Sequence, residues 1–227
     1  MTSEEKKLLK VFPSISAGNL MKLEEEVRHL EVSGADAIHF DVMDGHFVPL
    51  LTIGIPFIEQ MRKITKMHLD VHIMVSNPDA VFQDYLNAGA DTLSFHIETA
   101  QHAHRICAKI QEMSKRAGVV LNPATHWKDI EFLLPSIDQV TIMSVNPGFS
   151  RQKHLSIVHK KIQELSQYRV QNNLNFEIQV DGGVTPENSI LLQNLGAEVI
   201  VAGGAVFNGG DYKQSIQNLK RGLPHAQ

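Results

Sequence analysis

His39 and Asp41 stand two residues apart in the run Ile38-His39-Phe40-Asp41-Val42-Met43-Asp44-Gly45-His46-Phe47, which reads as a strand entering a loop. Side chains two apart on a strand share a face. His39, Asp41 and Met43 therefore project together, while Ile38, Phe40 and Val42 form an apolar face suited to packing under a helix. An imidazole and a carboxylate on an apolar strand are costly to bury without a ligand or hydrogen-bond partner. The second half of the pattern recurs in Leu69-Asp70-Val71-His72-Ile73-Met74-Val75, where His72 and Met74 share a face. Another carboxylate, Asp181, ends an apolar run in Val180-Asp181-Gly182-Gly183. Two imidazoles and two carboxylates at strand ends could supply four ligands of borderline hardness. That set suits one divalent ion, Zn²⁺ first and then Fe²⁺, Mn²⁺ or Co²⁺, better than Ca²⁺ or copper. The competing interpretation is four unrelated buried polar groups with local hydrogen bonds.

The elements that must position these residues are short apolar runs alternating with amphipathic stretches. Strands are predicted at Val11–Ser16, Ala37–Met43, His68–Val75, Thr92–Ile97, Gly118–Leu121, Gln139–Val145, Phe176–Asp181 and Val199–Ala202. Apolar positions at spacings of three and four predict helices between them, within Leu20–Leu30, Phe57–Ile64, Ala80–Asn87, Ile106–Met113, Ile130–Leu134, Ile157–Leu165, Ile190–Leu195 and Tyr212–Leu219. Gly34, Gly89, Gly118 and Gly196 follow helical runs, where a left-handed cap favours glycine. Eight strand–helix units in 227 residues fit a single-domain α/β fold, the (β/α)8 TIM barrel, with a core over about residues 10–220 and short polar termini. The alternative, a doubly wound open sheet, usually shows a Gly-rich turn after its first strand, and Val11-Phe12-Pro13-Ser14-Ile15-Ser16 has none. No linker or shift of composition divides the chain.

Barrels of this kind carry their sites at the carboxyl ends of the strands and frequently bind phosphate after the last two. Gly182-Gly183 follows the seventh strand and Gly203-Gly204 the eighth, where glycine lets backbone N–H groups approach an anion. The loop Met143-Ser144-Val145-Asn146-Pro147-Gly148-Phe149-Ser150-Arg151-Gln152 has the parts of a lid, with a Pro-Gly turn, an aromatic tip and a cation. Met43, Met74 and Met143 end strands two, three and six and could floor the site with polarizable apolar surface. His96 reads as a satisfied core histidine, Asp44 as a loop residue of structural or unknown role. His102, His104, His154, His159 and His225 read as solvated.

Composition narrows the partners. The chain is 43% hydrophobic and 20% charged with a formal net charge of −4, so no strongly basic face for nucleic acid is implied. Aromatic residues make up 6%, too few for a base-stacking platform. The single cysteine, Cys107, excludes an internal disulfide and reads as buried within the helical run Ala103–Gly118. No apolar run is long enough to span a membrane, and Met1-Thr2-Ser3-Glu4-Glu5-Lys6-Lys7 lacks the apolar core of a signal peptide, so the expected location is cytoplasmic. Apolar residues on helix exteriors leave a homo-oligomer open.

Together these segments resemble the ribulose-phosphate 3-epimerase family. The resemblance runs from Pro13-Ser14-Ile15 to about Tyr212. It is most specific in His39-Phe40-Asp41-Val42-Met43-Asp44-Gly45-His46-Phe47-Val48-Pro49, Asp70-Val71-His72-Ile73-Met74-Val75, Ser144-Val145-Asn146-Pro147-Gly148-Phe149 and Val180-Asp181-Gly182-Gly183-Val184. The resemblance implies metal-dependent interconversion of D-ribulose 5-phosphate and D-xylulose 5-phosphate in the pentose phosphate pathway, by inversion at C3. It implies that His39, Asp41, His72 and Asp181 bind one divalent metal, with the two aspartates as acid/base groups on opposite faces of the substrate. Ser14 is implied as a substrate contact; His72 and the three methionines are also expected to line the substrate. The segment Gly148, Phe149, Ser150 and Arg151 is expected to hold phosphate with the two Gly-Gly pairs. The chemistry needs this set. Proton removal next to a ketone leaves a 2,3-enediolate whose charge a divalent ion can stabilise, and inversion requires a group on each face.

The chain departs from the family at the lid, where the usual Gly-Phe-Gly-Gly-Gln is Gly148-Phe149-Ser150-Arg151-Gln152, and His154 replaces a common Phe. Arg151 removes a conformationally free position and could add a charge-assisted contact. The altered lid keeps open 3-epimerisation of a ketohexose 6-phosphate such as allulose 6-phosphate. A third alternative is a barrel that binds a sugar phosphate without turning it over.

Overall fold

A computed structural model describes residues 8–223; the polar segments 1–7 and 224–227, with His225, lie outside the described residues. The eight strands are β1 (Lys10–Pro13), β2 (Ile38–Met43), β3 (Leu69–Met74), β4 (Thr92–His96), β5 (Arg116–Leu121), β6 (Gln139–Met143), β7 (Glu177–Asp181) and β8 (Val199–Ala202). All pair in parallel in the order β1-β8-β7-β6-β5-β4-β3-β2, and a parallel bridge between Ser14 and His39 joins the two ends. The result is the predicted TIM barrel.

The helices are α1 (Leu23–Ser33), α2 (Ile55–Ile64), α3 (Pro78–Ala88), α4 (Ala103–Glu112), α5 (His159–Gln171), α6 (Pro186–Leu195), the single turn α7 (Gly204–Phe207) and α8 (Tyr212–Arg221). The connection between β5 and β6 is a 3₁₀-helix, Trp127–Ser136, with Pro135 inside it, where the missing N–H works against a regular helix. No helix of the described residues is long and apolar enough to cross a membrane.

Three of the four proposed glycine caps hold: Gly34, Gly89 and Gly196 end helices at φ 83°, 116° and 115°. Gly118 does not. Helix α4 stops at Glu112, Ser114 takes the left-handed conformation at φ 57°, and Gly118 lies inside β5. There a Cβ would stand 2.0 Å from Ser94 Oγ on the neighbouring strand, so the glycine relieves crowding inside the barrel. Cys107 is buried in α4 as expected.

Alternation along the strands sorts the core into two parts. Outward side chains such as Phe40, Val71, Phe95, Ile142 and Val180 are fully buried in the main apolar cluster beneath the helices. The barrel interior combines small apolar clusters, Phe12 with Val199 and Val201, and Val120 with Met143, with a polar network. Gln179 Nε2 donates to Asp70 Oδ2 at 2.8 Å, Thr141 Oγ1 donates to Gln179 Oε1 at 2.8 Å, and Gln139 Nε2 lies 3.2–3.4 Å from Gln179, Ser94, Thr141 and Asp70. These groups are buried and satisfied by one another, which fixes their positions because any rotation would orphan a neighbour.

Candidate active site

Asp41 and His72 point inward one step before Met43 and Met74 at the carboxyl ends of β2 and β3, and Asp181 ends β7. Strand register sets Asp41 beside His72 and His39 beside Asp70. His39 Nε2 lies 3.2 Å from Asp41 Oδ1 and 3.7 Å from Asp181 Oδ2; His72 Nδ1 lies 3.5 Å and 3.7 Å from the same two oxygens. The four ligand atoms fall within 4.8 Å of one another. Both rings are buried, and the two carboxylates reach the surface of a cavity at the barrel mouth.

The site passes a direct test as a cation centre. His72 Nδ1 is buried and has no hydrogen-bond partner, an orphan that native structures rarely tolerate. It faces the point on which the other three donors converge. Burial opposes charge on His39 and His72, yet the Asp41 carboxylate, with Asp70 on His39 and Asp181 on His72, raises both rings above their ordinary range. Burial likewise opposes charge on Asp41, and the two imidazoles hold it well below its ordinary range. The centre therefore favours positive charge.

Three further residues orient Asp41 and His39. Ser14 Oγ donates to Asp41 Oδ2 at 2.6 Å, and Ser16 Oγ follows at 3.3 Å. His39 Nδ1 lies 2.8 Å from Asp70 Oδ2, with Asp70 itself held by Gln179. Asp70 carried no assigned role in the sequence reading, although its place two residues before His72 puts it on the same inward face. Asp44 is a second such residue. It accepts from the N–H groups of His46, Phe47 and Ser76 and from Ser76 Oγ at 2.7–2.9 Å, pinning the loop after β2 to the loop after β3. Burial acts against its charge, and these bonds outweigh it and bring the carboxyl down to about 2.

His96 is buried and satisfied as expected, but its partners place it against the site: His72 Nε2 at 2.9 Å and Glu98 Oε2 at 3.2 Å. Burial, with the neighbouring His72, lowers its pKa to about 4, so the ring is neutral at pH 7. His154 and His159 differ from the solvated state expected of them. Their Nε2 atoms meet at 2.8 Å, and His154 is half-buried in the cavity wall. His102 and His104 are exposed as expected.

The cavity measures about 610 Å³. Ser14, Asp41, Asp181, Met43, Met74 and Met143 form its inner part. Gly182-Gly183 and Gly203-Gly204 form one side, and Gly148, Phe149, Ser150 and Arg151 form the rim. His72 and His39 lie beneath the floor rather than on it. Gly183 has φ 60°, and a Cβ there would stand 2.5 Å from the His154 backbone nitrogen, so only glycine fits where the two loops touch. Arg151 also adopts a left-handed φ of 60°, with its side chain exposed at the rim. Gln152 Nε2 braces the loop by donating to the carbonyls of Asn146 and Phe149 at 2.5 and 2.9 Å.

Comparison with known proteins agrees with this arrangement. The model of the ribulose-phosphate 3 epimerase family matches residues 10–207. The chain is 44% identical over 212 residues to the chloroplastic ribulose-5-phosphate-3-epimerase of Arabidopsis thaliana, covering 92% of this chain and 75% of that one. It is 43% identical to the ribulose-phosphate 3-epimerase of Synechocystis sp., covering 94% and 95%. The Bacillus subtilis enzyme of that name is 42% identical, with 94% and 99% covered. Among solved structures, a 3-keto-L-gulonate-6-phosphate decarboxylase from Vibrio cholerae superposes with a TM-score of 0.68 at 14% identity, covering 96% of this chain and all of that one, a likeness of fold alone. The chain belongs to the ribulose-phosphate 3-epimerase family.

Proposed function

We propose that this chain interconverts D-ribulose 5-phosphate and D-xylulose 5-phosphate by inverting the configuration at C3. The observation that carries the proposal is the pair of carboxylates, Asp41 and Asp181, converging from β2 and β7 on one point at the cavity floor. Inversion needs a proton taken from one face and another delivered to the opposite face, which two opposed carboxylates can do without moving through the substrate. Asp41 removes the C3 proton in one direction and Asp181 returns a proton on the far side, with the roles exchanged in reverse.

The remaining residues serve that exchange. Ser14 and Ser16 hold Asp41 Oδ2 and fix the direction of its other oxygen. His39, His72, Asp41 and Asp181 would hold one divalent cation, with Zn²⁺ the first choice and Fe²⁺, Mn²⁺ or Co²⁺ also suited to the donors. When bound, such an ion supplies Lewis-acid stabilisation of the charge that develops on the substrate oxygens, worth several kcal/mol. Met43, Met74 and Met143 exclude water from the reacting carbons with polarizable surface that follows a planar intermediate. Gly182-Gly183, Gly203-Gly204 and the rim residues Gly148–Arg151 receive the phosphate, where glycine lets backbone approach the anion.

The test is proton exchange at C3 in deuterated water with metal-loaded protein. Deuterium is expected in both pentulose 5-phosphates. Metal-loaded protein that binds ribulose 5-phosphate without exchange would instead be a binding barrel. A higher kcat/KM for allulose 6-phosphate would move the assignment to the ketohexose phosphate.

A further inference from the structure

We propose that His96 and Glu98 are positioning residues that hold the His72 imidazole in its Nε2–H tautomer, with the Nδ1 lone pair aimed between Asp41 and Asp181 to receive a cation. The inference rests on the metal-site reading above and extends it to two residues outside the ligand set.

The argument follows the protons. An ionised carboxylate can only accept, so Glu98 Oε2 takes the Nδ1–H of His96 at 3.2 Å. With its Nδ1 proton committed to Glu98, His96 presents the lone pair of Nε2. That lone pair faces His72 Nε2 at 2.9 Å, so His72 must donate there. Were His72 protonated at Nδ1 alone, two lone pairs would oppose each other at 2.9 Å in the buried interior. With Nε2 carrying the proton, Nδ1 is left as the orphaned acceptor that faces the carboxylates.

Glu98 is itself anchored from the loop that follows β5. Its Oε1 accepts from Asn122 N at 2.8 Å and from Thr125 Oγ1, and Lys161 Nζ holds the carbonyls of Asn122 and Pro123 at 2.8 and 2.9 Å. Phe47 covers His96 from the loop pinned by Asp44, ring centroids 4.7 Å apart. His39 has the shorter version of the same device, its Nδ1 resting directly on Asp70. Both ligand rings thus end on a carboxylate, one directly and one through a second imidazole, an arrangement that fixes tautomer and raises ligand basicity.

The experiment is ¹⁵N-histidine NMR of zinc-loaded protein, in which the cation replaces the Nδ1 proton that the carboxylates otherwise favour, together with zinc affinity by chelator competition. Wild-type His72 is expected as the Nε2–H tautomer. His96→Leu, which removes the acceptor, is expected to weaken zinc binding about 10–100-fold. His96→Gln, which keeps an acceptor oxygen, is expected to stay within about threefold of wild type. Should His96→Leu fail to fold, Glu98→Gln serves instead: an amide can donate or accept, so mixed tautomers at His96 and His72 and weaker zinc binding are expected. An Nδ1–H tautomer of wild-type His72 overturns the inference, as does unchanged zinc affinity in a folded His96→Leu or Glu98→Gln protein. Wild-type protein that binds no zinc overturns the metal reading itself, whereas zinc binding without turnover of ribulose 5-phosphate overturns only the assigned reaction.

Discussion

Ser14 Oγ donates to Asp41 Oδ2 at 2.6 Å across the seam where β1 meets β2, the same seam closed by the backbone bridge from Ser14 to His39. Barrel closure and the orientation of one carboxylate are therefore the same event. Asp41 is left with Oδ1 for the imidazoles because Oδ2 is already engaged.

Removing that hydroxyl should cost reactivity more than stability. Ser14→Ala deletes a hydrogen bond to a charged group, a class worth about 1.5–3 kcal/mol. If most of it serves orientation, kcat/KM for ribulose 5-phosphate falls about 10–100-fold, while the urea midpoint moves little. A variant with wild-type steady-state kinetics would show that the neighbouring Ser16 suffices.

Asp181→Asn separates binding from proton transfer. The amide keeps the shape of the carboxylate but cannot act as a base. A lost acid/base group typically costs about 10²–10⁴-fold, so kcat is expected to drop in that range with KM changed far less. Deuterium exchange at C3 should be slowed by a similar factor. Loss of zinc affinity must be measured beside it, because Asp181 is also a proposed ligand.

Arg151→Gly restores the small residue common in the family at a position of φ 60°. The left-handed conformation costs a non-glycine residue about 1 kcal/mol, partly offset by the greater freedom of glycine in the unfolded chain. Thermal stability should hold or rise slightly. If the exposed guanidinium meets the phosphate dianion, worth about 1 kcal/mol at a surface, KM should increase roughly fivefold at low salt, with kcat unchanged and a weaker dependence on ionic strength.

Acid stability tests Glu98. Burial pushes its carboxyl up, but the bonds from His96, Thr125 and Asn122 outweigh this and hold it at about 2, against an ordinary 4.5. A lowered folded pKa contributes stability that is present above pH 4.5 and lost as the pH falls towards 2. Urea unfolding at a series of pH values should therefore show a steeper acid decline for wild type than for Glu98→Gln within this window. Parallel profiles would mean that Glu98 titrates normally.

Much of the site was legible before any coordinates because period-two alternation is a local property of a strand. It put His39 with Asp41 and His72 with Met74 on inward faces, and it set Gly182-Gly183 just beyond Asp181. The same local logic misplaced Gly118, since a glycine that stops a helix and one that makes room for Ser94 look alike in one dimension. His154 and His159 misled for a related reason: a polar residue near a loop reads as solvated until the fold brings another loop over it.

The barrel, the apolar faces that lie under the helices and the residues offered at the strand ends follow from local pattern, because strand period, helix period and strand count are all written along the chain. Which ring nitrogen faces the centre is set by contacts between strands. His39 presents Nε2 because Asp70 takes its Nδ1, and His72 presents Nδ1 because His96 takes its Nε2. Those choices depend on partners supplied by other residues of β3 and β4, brought within 3 Å by strand register. No spacing along one strand encodes a hydrogen bond that runs across three.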